Sequence, residues 1–109
     1  MIHVLKWFDK AIHRNDYYSF MKYQGEFVEN FIAAAFALNR TWYADEKRLI
    51  ENLENLLILP PKSADRLEEL IMHRGNCTTL QGSLKTICAL WNDIYKLARK
   101  EFGNINLPK

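Results

Sequence analysis

Glycine, proline and cysteine are all scarce in this chain of 109 residues, which contains four glycines, three prolines and two cysteines. Cys77 and Cys88 form no C-x-x-C pair and no disulfide framework, so we expect two reduced thiols. The longest dense apolar run, FIAAAFAL at 31–38, is far shorter than the ~20 residues that a membrane-spanning helix needs. The N-terminus lacks the apolar region and the cleavage site of a signal peptide. These absences predict a cytoplasmic protein without a membrane partner.

Charge of one sign is also lacking, because 15 basic and 13 acidic residues are interspersed and leave a net charge of +2. This balance predicts no domain-wide basic field and does not favour a nucleic-acid partner. Hydrophobic residues make up 49% of the chain and charged residues 26%, which is typical of a globular protein. A single domain over 1–109 suits this length.

Apolar residues recur at steps of three and four, and no segment alternates long enough to suggest a strand. The pattern predicts an all-α protein, an up-and-down bundle of about five helices with a four-helix-bundle-like core. The predicted helices span 2–14, 17–39, 44–57, 64–73 and 79–102. The second is apolar nearly all round from Phe31 to Leu38, which is typical of a central helix with neighbours on several sides.

Spacing within each helix predicts which residues face the core. The predicted buried faces are Ile2, Leu5, Phe8 and Ile12; Phe20, Gln24, Phe27, Phe31, Ala35 and Leu38; Leu49, Ile50, Leu53, Leu56 and Leu57; Leu67, Leu70 and Ile71; and Leu80, Leu84, Ile87, Trp91, Ile94 and Ala98. Polar and glycine residues between the helices predict the caps. The predicted caps are Asp16 and Ser63 as N-caps, Thr78 with Gln81 as a capping box, and Gly75 and Gly103 at C-terminal ends.

Motifs for catalysis or metal binding do not occur: there is no HExxH, Cys/His cluster, GxSxG, P-loop or dinucleotide fingerprint. We therefore predict no catalytic residue, metal ligand or cofactor. One alternative is a HEPN-like ribonuclease toxin, since some small bundles of that type cut RNA with an Arg and a His at a spacing similar to that of Arg66 and His73. Leu67 departs from the polar residue that usually follows the Arg, and a helix-face role for Arg66 is simpler.

Aromatic residues are concentrated near the N-terminus, with eleven of the fourteen in the first 43 positions. Most lie on helical stripes, where core packing explains them. Tyr17, Tyr18, Trp42 and Tyr43 lie at predicted helix ends instead. A partly exposed cluster there suits a ligand pocket or a partner surface, so a helical homodimerisation module is a further alternative.

The first two thirds of the chain also carry a recognisable order of features. Trp7 to Asp16 form an amphipathic helix with a basic, Asp-containing turn, and a long aromatic and Ala-rich helix closes with Leu38-Asn39-Arg40. Trp42-Tyr43, Lys47 and the Pro-rich break in LPPKSADRLEEL follow. Over roughly residues 5–72, this order resembles the helical C-terminal domain of nucleotidyltransferase-like proteins of unknown substrate. Such domains look like the substrate-binding halves of antibiotic nucleotidyltransferases and the helical partners of small nucleotidyltransferases.

The resemblance implies a non-catalytic accessory or substrate-binding domain for a nucleotidyltransferase catalytic domain, in the same or a separate chain. Catalytic domains of that type carry a Gly-Ser turn followed by carboxylates for two magnesium ions, whereas Gly82-Ser83 lies inside a predicted helix. We therefore expect no nucleotide transfer by this chain alone. The residues predicted to bind substrate or partner, and to cluster on one partly exposed surface, are Arg14, Tyr17, Asn39, Arg40, Tyr43 and Lys47.

A structural interpretation of the same residues remains open. Asn39 can cap the second helix, while Arg40 and Lys47 can complement helix dipoles or pair with Asp45 and Glu46. On the binding interpretation, Arg40 and Lys47 would instead meet a phosphate or a carboxylate of the catalytic domain.

Overall fold

The computed structural model describes residues 2–41 and 49–103, with side chains described for 5–41 and 51–103. Every regular element in these ranges is helical, which confirms the predicted all-α bundle of about five helices. The elements are α1 (Ile2–His13), α2 (Tyr17–Leu38), α3 (Leu49–Glu54), α4 (Ser63–Met72), a 3-10 turn (Gly75–Cys77) and α5 (Leu80–Phe102). Within the described part of the chain, no helix has the length and apolar character needed to cross a membrane.

Helices α2 and α5 form the centre of the bundle. They pack against each other, α1 and α3 pack on α2, and α4 packs on both α3 and α5. Phe8 of α1 meets Phe20 of α2 edge to face, with ring centroids 4.9 Å apart. The largest side chains that are fully buried are Phe8, Phe20, Phe31, Leu53, Leu67, Leu70, Ile87 and Leu90. Most of these lie on the predicted stripes, so the stripes identify the core.

The apolar second half of α2 is covered on only part of its circumference. Ala35 is fully buried, and Phe31 and Phe36 also lie in the core. Ala33 and Ala37 are exposed, together with the intervening Ala34. The prediction of neighbours on several sides is therefore correct for the side of α2 that faces the core. The side lined by alanines is not covered by any of the described helices.

One buried and one partly buried polar link tie α4 to the central helices. The Gln24 side-chain amide donates to the Leu70 carbonyl at 3.2 Å, across the interface between α2 and α4. Arg66 of α4 pairs with Asp93 of α5 at 2.9 Å and also donates to the Pro61 carbonyl at 2.8 Å. These links favour one register of α4 on the bundle, because a shifted helix would lose the Gln24–Leu70 hydrogen bond and the Arg66–Asp93 ion pair.

Helix α3 ends earlier than predicted, at Glu54 instead of residue 57, and its predicted start at 44 lies outside the described residues. Leu53 is fully buried as predicted, but Leu57 is 98% exposed, so its predicted place on the buried face is wrong. The last turn tightens to i→i−3 bonds, and the backbone of Ile58 then bonds to the side chain of Asn39. This bonding draws the chain out of the helix before Leu57 can turn inward.

The N-terminal end of α4 also differs from the prediction. Ser63 is the first residue of the helix, not its cap, and its hydroxyl donates to the Pro60 carbonyl at 2.7 Å. Lys62 occupies the cap position in a left-handed conformation (φ 56°) without a capping side chain. Ile71, predicted to face inward, is 48% exposed, because α4 is covered on the Leu67 side alone.

The caps on either side of the 3-10 turn are shifted from their predicted positions. His73, not Gly75, ends α4; Gly75 is left-handed as predicted (φ 59°), but it begins the 3-10 turn. Thr79, not Thr78, caps α5, where its hydroxyl accepts the Gly82 N–H at 3.0 Å. Residues 75–77 form the 3-10 turn, whereas the periodicity alone assigns them to a loop between helices. Gly103 closes α5 as predicted, with φ 68°.

Candidate substrate-binding cleft and the Arg40 corner

The turn between α1 and α2, residues 14–16, is closed by its own backbone, and we call it the Asn15 corner. Asn15 is left-handed (φ 53°). Its N–H donates to the Ile12 carbonyl at 3.1 Å, and the Asp16 N–H donates to the Ala11 carbonyl at 2.8 Å. This pair of bonds is a Schellman motif, with asparagine at the position where glycine is most common. The motif fixes the direction in which α2 leaves α1.

Asp16 is the N-cap of α2, as predicted. Its carboxylate accepts the Ser19 hydroxyl at 2.7 Å and the Ser19 backbone N–H at 3.1 Å. These two bonds, and to a lesser degree the charge of Arg14, hold the pKa of Asp16 below its ordinary value. The capped first turn presents Tyr17 and Tyr18, which are 62% and 81% exposed.

The connection from α4 to α5 is equally constrained. His73 is left-handed (φ 55°), and its N–H and that of Arg74 both donate to the Glu69 carbonyl. Gly82, in the first turn of α5, lies so close to the carbonyl of Asn76 that a Cβ at position 82 would collide with it. The connection is therefore held against α5 with little room for rearrangement.

A cleft of about 480 Å³ lies between these two segments, and we call it the Tyr17 cleft. Ile12 and Leu80 supply part of its apolar surface. Other lining residues are Asn15, Tyr17 and Met21 on the α1–α2 segment and His73, Thr78 and Gln81 on the α4–α5 segment. The cleft volume falls within the roughly 300–1,000 Å³ that is usual for small-molecule sites.

Of the described residues that line the Tyr17 cleft, none is acidic and none is Lys or Arg. Its amide and hydroxyl groups, for example those of Gln81 and Thr78, can donate and accept hydrogen bonds. The exposed ring of Tyr17 offers a flat apolar face with a hydroxyl at its edge. Such a surface suits a small polar molecule with a flat or ring-shaped portion.

Two residues at the cleft have structural roles. Cys77 is buried, and its Sγ–H donates to Thr86 Oγ1 at 3.4 Å, so its thiol packs in the core and is not presented to a ligand. His73 ends α4, as described above. The interpretation of His73 and Cys77 as capping and packing residues is thereby confirmed. The second thiol, Cys88, is partly buried; burial and the nearby Asp9 carboxylate raise its pKa.

The C-terminal end of α2, residues 39–41, forms a second Schellman motif, which we call the Arg40 corner. Arg40 is left-handed (φ 52°) and its N–H donates to the Ala37 carbonyl at 3.0 Å. The Thr41 N–H donates to the Phe36 carbonyl at 3.0 Å. Here arginine stands at the position that glycine usually occupies.

Asn39 is the C-cap of α2, as the structural interpretation predicted, and it also joins two distant segments. Its Nδ2 donates to the Ala35 carbonyl at 2.8 Å and to the Ile58 carbonyl at 2.7 Å. Its Oδ1 accepts the Ile58 N–H at 2.8 Å. Both amide hydrogens are used within the chain, so Asn39 holds the corner in place.

An apolar groove of about 230 Å³ begins beside this corner, and we call it the α2–α5 groove. Ala34, Ala37 and Leu38 line it from α2, and Trp91, Tyr95, Ala98 and Phe102 are among the residues that line it from α5. The Arg40 guanidinium lies 5.6 Å from the Phe102 ring centroid, and that of Arg99 lies 5.9 Å from the Tyr95 centroid. Each contact is a cation–π interaction that holds a positive charge over a ring of the groove.

The predicted site residues do not form one surface. Arg14 and Tyr17 lie at the Asn15 corner, and Asn39 and Arg40 lie at the other end of α2. The helix has 22 residues, so these ends are ~33 Å apart. The prediction of a single cluster is therefore wrong for these four. Tyr43 and Lys47 lie outside the described residues, as do Asp45 and Glu46, so the predicted pairings of Arg40 and Lys47 stay predictions.

Arg66 and His73, the residues of the ribonuclease hypothesis, do not share a site within one chain. Arg66 is held by Asp93 and the Pro61 carbonyl, which confirms its helix-face role, whereas His73 lines the Tyr17 cleft. Their convergence across a dimer cleft stays a prediction. Among the described residues, no group of three or more His, Cys, Asp or Glu side chains could hold a metal ion.

Sequence reasoning missed the residues that the α4–α5 connection gives to the Tyr17 cleft. Thr78 and Gln81 were assigned to a capping box, and Asn15 to a helix exit. A usable signal was available, because the polar stretch from His73 to Gln81 is longer than two helix caps require. The α5 side of the groove, including Tyr95 and Phe102, was also missed, since these rings lie at the edge of the predicted stripe.

Comparison with known proteins found no family model, no curated protein and no solved structure that matches this chain.

Proposed function

We propose that this chain is a helical accessory domain that binds substrate for a nucleotidyltransferase-type catalytic domain, in the same chain or a separate one. In this proposal the chain contributes binding and no catalysis of its own. The observation that carries the proposal is the Tyr17 cleft, which combines the volume of a ligand site with a neutral, hydrogen-bonding lining and an exposed aromatic ring.

The rigidity of the cleft supports a binding role. The Asn15 corner and the His73 turn place two non-glycine residues in the left-handed conformation at the same cleft. Such residues cost free energy relative to glycine, and they cluster at ligand sites in other proteins. The Schellman motif and the Asp16 cap hold the backbone at Tyr17 in place before any ligand arrives, which lowers the backbone entropy lost on binding.

The resemblance supplies the class of partner. Its basic, Asp-containing turn corresponds to residues 13–16, which lead directly into Tyr17. We expect a catalytic domain with a Gly-Ser turn and paired carboxylates to act on the molecule that this cleft holds. A reading frame that encodes such a domain, fused to or adjacent to this one, would support the proposal.

The binding role can be tested by NMR titration of the ¹⁵N-labelled chain with adenosine, ATP and an aminoglycoside as probes. We expect shifts confined to amides of residues 12–21 and 73–82 for at least one probe. Tyr17→Ala should abolish these shifts. Tyr18→Ala is the matched control, because Tyr18 is the adjacent exposed ring and does not line the cleft.

Shifts that survive Tyr17→Ala, or that lie outside both segments, would contradict the proposed site. Each variant should first be compared with the parent by circular dichroism and thermal melting. Both tyrosines are exposed, so neither substitution removes core packing, and similar melting temperatures are expected.

A further inference from the structure

The α2–α5 groove is an apolar surface on the described part of the bundle, of about 230 Å³. Its floor on α2 is formed by Ala34, Ala37 and Leu38, and none of these side chains is charged. The α5 wall is formed mainly by aromatic rings, including Trp91, Tyr95 and Phe102. The described lining is therefore apolar on both helices.

The shape of the groove fits a helix. Its lining positions on α5 are 91, 94, 95, 98 and 102, which recur at helical steps along one face. They span ~17 Å, which corresponds to about three turns of a docked helix. The small side chains of Ala34 and Ala37 allow another backbone to approach closely. An amphipathic helix laid in a groove is a common mode of protein recognition.

The charges at the groove select the partner. Arg40 and Arg99 are both exposed, and each stacks on a ring that lines the groove. Among the side chains described, those of 5–41 and 51–103, neither has an acidic ion-pair partner. None of the acidic residues that the structure describes lines the groove; Asp93 is paired with Arg66, and Glu101 lies outside the lining. An apolar groove with two guanidinium groups at its edges complements an apolar helix face flanked by carboxylates.

We propose that the α2–α5 groove binds an amphipathic helix of a partner protein that carries acidic residues flanking its apolar face. The assignment of that helix to the catalytic partner rests on the proposed function; the binding of such a helix does not. The groove and the Tyr17 cleft lie at opposite ends of α2, so the two sites can be tested independently.

Two synthetic peptides test the charge selection. Each has about 18 residues, or five helical turns, with the same leucine stripe; one has glutamate flanks and the other lysine flanks. Fluorescence anisotropy of labelled peptide with the unmodified chain should give a Kd at least ~10-fold lower for the acidic peptide, and added salt should narrow the difference. Equal binding of both peptides, or no binding of the acidic one, overturns the proposal.

Substitutions locate the binding. Ala37→Gln should weaken the acidic peptide ~10-fold or more by filling the groove, whereas Ala33→Gln, on an exposed neighbour outside the lining, should not. Arg99→Glu should weaken the acidic peptide and strengthen the basic one. Lys96→Glu is its control, because it makes the same charge change on an exposed position of α5 outside the groove. Equal effects of a variant and its control overturn the proposal.

A second copy of this chain is the competing occupant. If sedimentation shows a dimer that Ala37→Gln converts to a monomer, and neither peptide binds, the groove is a homodimer interface and the proposal is wrong. Failure at the groove with ligand binding at the Tyr17 cleft leaves the proposed function intact. Binding of the acidic peptide with an empty Tyr17 cleft leaves the groove proposal intact and removes the proposed function.

Discussion

The Asn15 corner and the Arg40 corner have the same backbone conformation but different surroundings. Both close a helix with a left-handed residue and the same pair of Schellman hydrogen bonds. Asn15 lines a neutral, hydrogen-bonding cleft, whereas Arg40 sets a cation over Phe102 beside an apolar groove. Asparagine tolerates the left-handed conformation well, and arginine has no such advantage. This difference indicates that arginine stands at position 40 because of its side-chain contacts, since its backbone conformation would favour another residue.

The largest expected effect comes from a core substitution in α2 that destabilises both corners together. Phe31 is 1% exposed and lies in the middle of α2, between the two ends. Phe31→Ala should lower the free energy of unfolding by about 3–5 kcal/mol, because it leaves a cavity in the shared core. Urea denaturation followed by circular dichroism measures the change. Asn30→Ala, at the exposed neighbouring position, should change stability by less than about 0.5 kcal/mol. A loss confined to one corner would contradict the view of α2 as a single cooperative unit.

A smaller effect should destabilise the Arg40 corner and leave the Asn15 corner unchanged. Asn39→Ala removes three hydrogen bonds and leaves the partly buried backbone of Ile58 without partners. We expect a loss of about 1–3 kcal/mol and faster hydrogen exchange at the Ile58 amide. Amides at the Asn15 corner should keep their protection. Asn39→Asp keeps the acceptor for Ile58 N–H, so protection of that amide should partly return; no difference between the two variants would argue against the role assigned to Oδ1.

The conformational cost at position 40 can be isolated by comparing two variants that both lose the guanidinium. Arg40→Gly should be more stable than Arg40→Ala by about 1 kcal/mol, because only glycine is relaxed at φ 52°. Both should weaken binding of the acidic peptide to a similar extent. At the other corner, Asn15→Gly should change the free energy of unfolding by only about 0.5 kcal/mol or less. Thermal melting of the four proteins checks the ranking, and a gain at position 15 as large as that at 40 would refute the contrast.

The smallest expected effect concerns pH at the Asn15 corner. The pKa of Asp16 is lower in the folded chain than in the unfolded chain, because the Ser19 hydroxyl and amide bond its carboxylate. Its contribution is therefore fully present above the unfolded pKa of about 3.9 and is lost as pH falls through the folded value. The difference in melting temperature between the parent and Asp16→Ala should shrink between neutral pH and pH ~3. Arg40→Ala removes no carboxylate and should show no comparable trend; a difference at Asp16 that is constant over this range would contradict the assignment.

Local signals in the sequence were sufficient for the helices and for one corner. The three- and four-residue spacing of apolar residues predicted the ends of α1, α2 and α5 to within a residue or two. Asp16 was predictable as a cap because its hydrogen-bond partner, Ser19, is only three positions away. The end of α3 could not be predicted in this way. It depends on hydrogen bonds between Asn39 and Ile58, which are 19 positions apart and meet only in the folded chain.

The same reasoning explains what was missed in the candidate sites. The left-handed conformations of Arg40 and His73 carry no sequence signal, because glycine is the usual marker and neither position has it. The Tyr17 cleft joins segments about sixty residues apart, so composition cannot reveal it. The open alanine face of α2 depends on how many helices surround it, which periodicity within one helix does not determine.

The left-handed residues that end α1, α2 and α4 are positions where protein engineering could raise the stability of the fold. Glycine at positions 15, 40 and 73 would relax the backbone, most of all where arginine now stands. Two of these positions line the Tyr17 cleft and the third borders the α2–α5 groove. A more stable scaffold built from this chain would therefore be expected to lose recognition at the same places where it gains stability, which is the usual trade-off between the two properties.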